Sequence, residues 1–218
     1  MVRVKICGNK NIDEVLIASR LGADAIGLIV GVSHFSEDAI KPSEAEKILR
    51  EIPVFVTTVL VTHMKTSEEI LKLYEEVPAS TIQLQDNISM SEAAKIKKEL
   101  PHIKLIKTVH VVDDSSIKAA VEIVDFFDAI LLDSLLENED RIGGTGKTHD
   151  WSISKKIVSL LNKPVILAGG LTPENVVDAI NYVKPYGVDV NSGVDNVDRS
   201  KSLEAVKHFI NRSKSCVY

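Results

Sequence analysis

The chain has 218 residues, of which 44% are hydrophobic and 26% are charged, a composition typical of a globular protein with a substantial core. Its formal net charge of −5 gives no overall basic field, so we expect neither nucleic acid nor an anionic membrane surface as a partner. The sequence shows no signal peptide and no apolar run long enough to span a bilayer, which predicts a cytoplasmic protein.

The two cysteines, Cys7 and Cys216, stand at opposite ends of the chain. They lack the close spacing of a metal site, and without a signal peptide they are typical of reduced thiols. Cys7 ends a short apolar segment and is followed directly by Gly8, which places it at the exit of a predicted strand.

Eight short apolar segments, rich in β-branched and aliphatic residues, recur along the chain and predict β-strands. Their nearly continuous hydrophobicity is typical of parallel strands that are buried on both faces. The predicted strands are Val2–Cys7, Ala25–Val30, Val54–Val61, Thr81–Leu84, Leu105–Val109, Ala129–Asp133, Val165–Ala168 and Val188–Asn191.

Amphipathic segments follow these strands and predict α-helices. One of them begins at Thr172, Pro173 and Glu174, a pattern that predicts an N-cap, a proline in the first turn and an acidic residue beside it. The predicted helices are Ile12–Leu21, Ser43–Arg50, Ser67–Tyr74, Met90–Leu100, Ser115–Val124, Ser152–Leu161, Pro173–Val183 and Lys201–Ser213.

Eight strand–helix units of about 27 residues each, with no linker between them, favour one fold. We predict a single-domain (β/α)8 TIM barrel over residues 1–218, with a doubly wound open sheet as the alternative. The one long connection, Ser134 to Asp150, is polar, and its length predicts a lid or a binding loop. Its Gly143–Thr148 segment is not a nucleotide-binding loop, because Arg141 stands where the Walker pattern requires glycine.

In such a barrel the functional side chains gather where the strands end. Cys7 ends the first predicted strand and Asp133 ends the sixth. Lys5 shares a strand face with Cys7, and an ammonium there would favour the thiolate. A thiolate and a carboxylic acid form a base and acid pair that moves a proton between carbon and oxygen. The structural alternatives are a small buried cysteine and an aspartate that caps a turn.

Two glycine-containing segments follow the last two predicted strands. Gly169 and Gly170 come after strand seven, and Ser192 and Gly193 come after strand eight. Barrels of this type often bind phosphate at these two exits, against backbone N–H groups at the start of a short extra helix. We therefore predict a phosphate site here, and the alternative is that the glycines only turn the chain.

Five motifs together resemble the phosphoribosylanthranilate isomerase family. The match covers the first two strands and nearly everything from the sixth strand onward. The motifs are Lys5-Ile-Cys-Gly8, Leu132-Asp-Ser134, Gly143–Lys147 with Asp150-Trp151, Leu167–Asn175 and Gly187–Gly193. The resemblance implies a (β/α)8 barrel that performs an Amadori rearrangement in tryptophan biosynthesis, without a metal or an organic cofactor.

The resemblance also implies roles for individual residues. Cys7 matches the general base that removes the sugar C2′ proton. Asp133 matches the general acid that protonates the furanose ring oxygen and opens the ring to a Schiff base. The positions implied to bind the phosphate and the ribose are Gly169, Gly170, Ser192 and Gly193, with Asp189 beside the ribose.

The middle of the chain departs from the family pattern. The family carries an arginine after strand two that binds the anthranilate carboxylate, whereas Asp38 falls near that place here, and an acid would repel a carboxylate. The Leu-His-Gly after strand four is replaced by Leu84-Gln-Asp-Asn87. His34, His63 and His110 follow or end three strands and are the candidates for the missing contact. Histidines can also bind zinc, but loop histidines are commoner than metal sites, and we predict no metal.

Three functions fit this pattern. The first is phosphoribosylanthranilate isomerisation, the second is isomerisation of another phosphosugar conjugate, and the third is phosphosugar binding without catalysis. The presence of both Cys7 and Asp133 argues against the third, because a binding protein needs neither. All three predict a phosphorylated sugar as partner, and the sequence leaves monomer and homodimer open.

Overall fold

The computed structural model describes residues 1–32, 35–134 and 148–216. Within them every strand pairs in parallel with its neighbours in chain order. The last strand pairs with the first, from Arg3 opposite Gly187 to Ile6 opposite Val190, and so closes the sheet. The predicted (β/α)8 barrel is confirmed, and the open sheet was the wrong alternative.

Strands and helices alternate through the described part of the chain, and none of its helices has both the length and the apolar character needed to cross a membrane. The strands are β1 Arg3–Ile6, β2 Ala25–Ile29, β3 Thr57–Thr62, β4 Thr81–Leu84, β5 Lys104–Val111, β6 Ala129–Ser134, β7 Val165–Leu167 and β8 Gly187–Val190. The helices are α1 Ile12–Arg20, α2 Pro42–Glu51, α3 Ser67–Glu76, α4 Met90–Glu99, α5 Ser115–Ile123, α6 Trp151–Leu160, α7 Val176–Val183 and α8 Leu203–Ser215, with 3₁₀ turns at Val124–Phe126 and Ser192–Val194.

Polar N-caps set where several helices begin. The side chains of Asn11, Thr66, Ser89 and Ser202 each accept a hydrogen bond from a backbone N–H three residues further on. Each cap satisfies a donor that the first helical turn leaves unpaired. The caps therefore fix the lengths of the loops that join the strand exits to their helices.

The core has two parts, which the alternation of side chains along the strands separates. The larger lies between the barrel and the helices, and Phe127 and Phe209 are its largest fully buried members. The smaller lies inside the barrel and includes Cys7, Ile29 and Ala168. Cys7 thus points into the barrel rather than under a helix.

Two element boundaries predicted from the sequence are wrong by three residues, the largest differences among the described elements. Val54 and Val56 are not in β3, because a turn closed by the Val56 N–H and the Pro53 carbonyl (3.0 Å) precedes the strand. The segment from Thr172 to Glu174 does not start α7, which begins only at Val176. There the Asn175 side chain binds both Thr172 N–H and Gly170 C=O, which holds the preceding residues in a loop.

Candidate active site

A cavity opens at the carboxyl ends of the strands, which we call the mouth of the barrel. Most of the residues predicted as site residues lie on its wall, and they arrive there from β1, β3, β6, β7 and β8. The predicted residues on the wall are Cys7, His63, Asp133, Gly169, Gly170, Asp189, Ser192 and Gly193.

Cys7 is held at the exit of β1 by a backbone hydrogen bond from its N–H to the Val190 carbonyl (2.8 Å). Directly below it, the Lys5 ammonium pairs with Asp189 Oδ2 at 2.8 Å, and both of these charged side chains are buried. Burial raises the pKa of the Cys7 thiol to about 11, against the charge of Lys5, which lowers it, while Asp189 adds to the rise. Burial therefore favours the protonated thiol over the thiolate.

Asp133 lies near the end of β6, where both of its carboxylate oxygens accept a hydrogen bond. Gln85 Nε2 donates to Oδ2 (3.1 Å), and Ser134 N–H donates to Oδ1 (2.9 Å). Burial raises the pKa of Asp133, opposed by the charge of His110 and by these hydrogen bonds, while the negative charge of Asp189 raises it further. A carboxyl group whose pKa is raised can keep a proton and donate it.

Gln85 connects Asp133 to a polar network that the sequence analysis did not assign. Its Oε1 accepts hydrogen bonds from Gln83 Nε2 (2.8 Å) and Thr108 Oγ1 (2.9 Å), so the amide has a fixed orientation toward Asp133. Gln83 and Gln85 are alternate residues at the end of a buried strand and therefore share its inner face. Two inward amides in an apolar strand were the signal that could have revealed this network.

The loops after β7 and β8 touch each other at the mouth. A Cβ added to Gly193 would lie 1.9 Å from the Leu171 carbonyl oxygen, so only glycine permits this approach. Gly169, with a φ of +82°, leaves room in the same way for Ser134 N, 2.6 Å from the position of an added Cβ. The two glycine-containing segments are therefore on one wall of the cavity, beside Asp133.

His63 and Asp38 also line the cavity. His63 Nδ1 lies 3.1 Å from Asp86 Oδ1, and both groups are buried. Asp38 Oδ2 accepts a hydrogen bond from Asn191 Nδ2 (2.9 Å), and Lys10 Nζ lies 3.9 Å from its other oxygen. Asp38 thus ties the loop after β2 to the loop after β8.

Neither of the two other predicted histidines is among the described residues that line this cavity. His110 lies opposite Asp133 in the β5–β6 pairing and acts on it through its charge. His34 lies outside the described residues, as do residues 135–147 of the predicted lid from Ser134 to Asp150. Among residues 1–32, 35–134 and 148–216, no three His, Cys, Asp or Glu side chains are arranged to hold a metal ion.

Sequence comparison identifies the family. The model of the N-(5′-phosphoribosyl)anthranilate (PRA) isomerase family matches residues 4–212, which is nearly the whole chain. This chain belongs to that family. A relative named N-(5′-phosphoribosyl)anthranilate isomerase 2, from Methanosarcina mazei, is 43% identical over 214 residues, or 98% of this chain and 95% of the relative.

Solved structures of phosphoribosyl anthranilate isomerase have the same fold. One, a complex with reduced 1-(o-carboxyphenylamino)-1-deoxyribulose 5-phosphate, is 33% identical with a TM-score of 0.84, over 99% of this chain and 100% of that chain. Another is a set of monomers generated from the dimeric enzyme of Thermotoga maritima, 32% identical with a TM-score of 0.83 over the same shares of the two chains. The resemblance of the motifs to this family is thus confirmed.

Proposed function

We propose that this protein is a single-domain isomerase that converts N-(5′-phosphoribosyl)anthranilate to the 1-(o-carboxyphenylamino)-1-deoxyribulose phosphate, with Cys7 as general base and Asp133 as general acid. The observation that supports these roles best is that both side chains line one cavity, beside two glycine-containing loops that touch each other. The base must be a reduced thiol, and this requirement fits a protein of the cytoplasm.

Asp133 performs the first step. Its proton passes to the furanose ring oxygen O4′, the C1′–O4′ bond breaks, and the nitrogen lone pair forms the C1′=N bond of a cationic Schiff base. The raised pKa of Asp133 supports this role, because an ordinary aspartate would have lost its proton at neutral pH.

Cys7 performs the second step in its thiolate form. It takes the C2′ proton, the electrons of that bond form C1′=C2′, and the Schiff base nitrogen becomes neutral. The resulting enol then loses its 2′-hydroxyl proton while C1′ gains one, so that a ketone forms without gain or loss of atoms. Before this step the thiol loses its own proton to solvent. The positive charge of the Schiff base beside the sulfur favours that loss, because it lowers a pKa that burial and Asp189 raise.

The substrate phosphate binds against the backbone of the segments after β7 and β8. The absence of side chains at Gly169, Gly170 and Gly193 lets peptide N–H groups approach an anion closely. Asp189 binds the ribose, and its Oδ1 is buried without a hydrogen-bond partner in the structure, so that a sugar hydroxyl would satisfy it.

His63 provides the contact to the anthranilate carboxylate. It follows β3, across the barrel from β7 in the strand order, and its Nδ1 lies 3.1 Å from Asp86 Oδ1. A cationic imidazole would take the place of the arginine that the family pattern has after strand two. His34 is a further candidate, and His110 contributes through Asp133.

Two copies of the chain associate through the amino ends of the strands, which we call the base of the barrel. Val54 and Phe55 are 93% and 99% exposed there, and Phe55 borders a cavity of about 600 Å³ whose wall includes Val59, Ile106 and Val188. A two-fold axis would place the Phe55 of each copy in the cavity of the other. Burying an aromatic side chain removes about 150–250 Å² from water. The dimeric relative from Thermotoga maritima supports a dimer for this chain as well.

The decisive experiment is a steady-state assay with phosphoribosylanthranilate, followed by the loss of its fluorescence. We expect turnover by the wild type, and Cys7→Ala should lower kcat by about 10²–10⁴-fold or more while ribose 5-phosphate still binds. An active Cys7→Ala variant would remove Cys7 from the mechanism. Inactive wild type that binds ribose 5-phosphate would favour the second candidate, a phosphosugar isomerase with an uncharged or basic aglycone, because the acid Asp38 is on the cavity wall.

A further inference from the structure

A lysine that no step of the mechanism has used stands on β1, two residues before Cys7. Lys5 is 4% exposed, and its side chain lies inside the barrel on the same face of β1 as Cys7. A buried ammonium is costly unless it has partners, so its retention beside the reacting sulfur calls for an explanation.

The strand next to β1 provides the room for this arrangement. A Cβ added to Gly27 on β2 would lie 2.7 Å from Cys7 Sγ and 3.1 Å from Lys5 Cε. The sulfur and the lysine stem therefore flank the same point of the barrel interior. No other residue type at position 27 would leave both side chains where they are.

A carboxylate on the opposite neighbour of β1 fixes the ammonium. Lys5 and Asp189 are register partners in the β1–β8 pairing, and Asp189 Oδ2 accepts a hydrogen bond from Lys5 Nζ at 2.8 Å. Only one oxygen of Asp189 is used in this way, and Oδ1 stays available for the sugar. Asp189 therefore holds Lys5 through Oδ2 and can bind the substrate through Oδ1.

We propose that Lys5 is a positioning residue that acts through Cys7: held by Asp189, its ammonium stabilises the thiolate that removes the C2′ proton. This inference rests on the proposed role of Cys7 as base. Lys5 touches no reacting atom of the substrate in this account, and it works only by lowering the free energy of the charged sulfur.

Two further charged groups act on the Cys7 sulfur. Lys201, from the loop after β8, lowers the pKa of the thiol less than Lys5 does, whereas Asp189 raises it. Asp133 lies on another part of the cavity wall, and Gly27 and Ile29 from β2 carry no charge. Lys5 is thus the strongest positive influence on the sulfur, and Asp189 opposes it while holding it in place.

The test is the rate at which iodoacetamide alkylates Cys7 as a function of pH, in full-length protein carrying Cys216→Ser and without substrate. Iodoacetamide reacts with the thiolate, so the rate at a given pH below the pKa reports the thiolate fraction. We expect Lys5→Met to slow alkylation by about tenfold or more, which corresponds to one unit of pKa. Asp189→Asn should instead accelerate it, because the substitution removes a negative charge while the amide oxygen can still accept the hydrogen bond from Lys5 Nζ.

The matched control is Lys107→Met, which removes another buried ammonium from the barrel but lies on β5 away from the cavity wall. It should leave the alkylation profile of Cys7 unchanged. If Lys5→Met does not fold, the double variant with Asp189→Asn leaves no unpaired charge and should react more slowly than Asp189→Asn alone.

The proposed role predicts that Lys5→Met slows the alkylation of Cys7 and that Asp189→Asn accelerates it. A merely structural effect would change the alkylation rate in the same direction in both variants. An unchanged profile in Lys5→Met, or slower alkylation in Asp189→Asn, would overturn the proposal. The measurement does not depend on the isomerase reaction. Failure of the proposed function would show in the steady-state assay with Cys7→Ala, not in these profiles.

Discussion

The first strand makes one ion pair at the base of the barrel and a second in the barrel interior, and the two pairs are alike in length but not in surroundings. At the base, Arg3 Nη1 lies 3.0 Å from Asp24 Oδ1, and the arginine side chain is 63% exposed. In the barrel interior, two residues further along β1, Lys5 Nζ lies 2.8 Å from Asp189 Oδ2, and the lysine side chain is 4% exposed. Two ion pairs of similar length therefore lie in very different surroundings, one exposed to water and one buried in the barrel.

The sixth strand repeats this contrast with two aspartates. Asp128 precedes the strand at the base, where burial would raise its pKa but hydrogen bonds from Lys97, Leu105 N–H and Lys104 lower it to about 2. Asp133 ends the strand at the mouth, where burial raises the pKa and the hydrogen bonds are too few to reverse this. At the base of the barrel, hydrogen bonds favour the charged form of Asp128. At the mouth, burial favours the neutral form of Asp133, which suits a proton donor.

The largest test of this contrast compares Asp133→Asn with Asp128→Asn. We expect the mouth variant to lose about 10²–10⁴-fold or more in kcat, because an amide cannot donate a proton to the ring oxygen. Asp128→Asn should keep the kcat of the wild type and lose only stability. Steady-state kinetics with phosphoribosylanthranilate measures both.

The pH profile provides a second readout for Asp133. A general acid must be protonated in the free enzyme, so kcat/KM should fall as pH rises through the raised pKa of this residue. Equal losses in the two variants, or a profile without this alkaline fall, would contradict the assignment of the acid.

The next effect concerns folding stability at the two ends of β1. Lys5→Met leaves the buried Asp189 without its partner, and we expect a loss of about 3–5 kcal/mol in the free energy of unfolding. Arg3→Met breaks an exposed pair and should cost less than about 1 kcal/mol. Urea unfolding of both variants gives the comparison.

The control for this stability test adds Asp189→Asn to Lys5→Met. If the loss comes from an unpaired buried charge, the double variant should be more stable than Lys5→Met alone. A Lys5→Met protein as stable as Arg3→Met would show that burial makes no difference between the two pairs.

Another prediction concerns the dimer contact that we propose at the amino ends of the strands. Phe55→Asp puts a charge into the proposed contact between two copies, and we expect at least about a 30-fold weaker dimer, the range of a central aromatic contact. Phe35→Asp is the matched control, because Phe35 is also exposed but follows β2 at the mouth. Sedimentation velocity over a range of protein concentrations should show dissociation for Phe55→Asp only. A wild type that stays monomeric at every concentration would end the dimer proposal.

The smallest expected effect concerns the aglycone contact at the mouth. If a charged His63 binds the anthranilate carboxylate, KM for phosphoribosylanthranilate should be several-fold higher at about pH 8.5 than at about pH 6.5, since histidine loses its charge in this range. His63→Gln should remove this dependence and leave the fall assigned to Asp133 in place. If His63→Gln keeps the same pH dependence of KM, His63 does not bind the carboxylate and His34 becomes the candidate.

Much of the fold and half of the site were predictable from residue order alone. The eight apolar segments are strands because each is buried on both faces, and that burial leaves a continuous hydrophobic signal. Val54 and Phe55 carry the same signal for a different reason, since they protrude at the base next to a turn at Pro53. Hydrophobicity alone does not distinguish a buried strand from an exposed contact surface.

The sequence by itself determined which chemical groups reach the mouth. Cys7, Asp133 and the glycines after β7 and β8 stand at strand ends, and in a parallel barrel all strand ends meet at one rim. Their positions along the chain therefore implied a shared site before any distance was known.

Only the tertiary structure decided what surrounds those groups. The pair of Lys5 with Asp189 joins residues 184 positions apart, and Gln85 reaches Asp133 across 48 positions. Which partner a side chain meets depends on barrel register and on the room left by residues such as Gly27 and Gly193. Burial and neighbouring charge, which set the proton affinities of Cys7 and Asp133, exist only once the strands have closed.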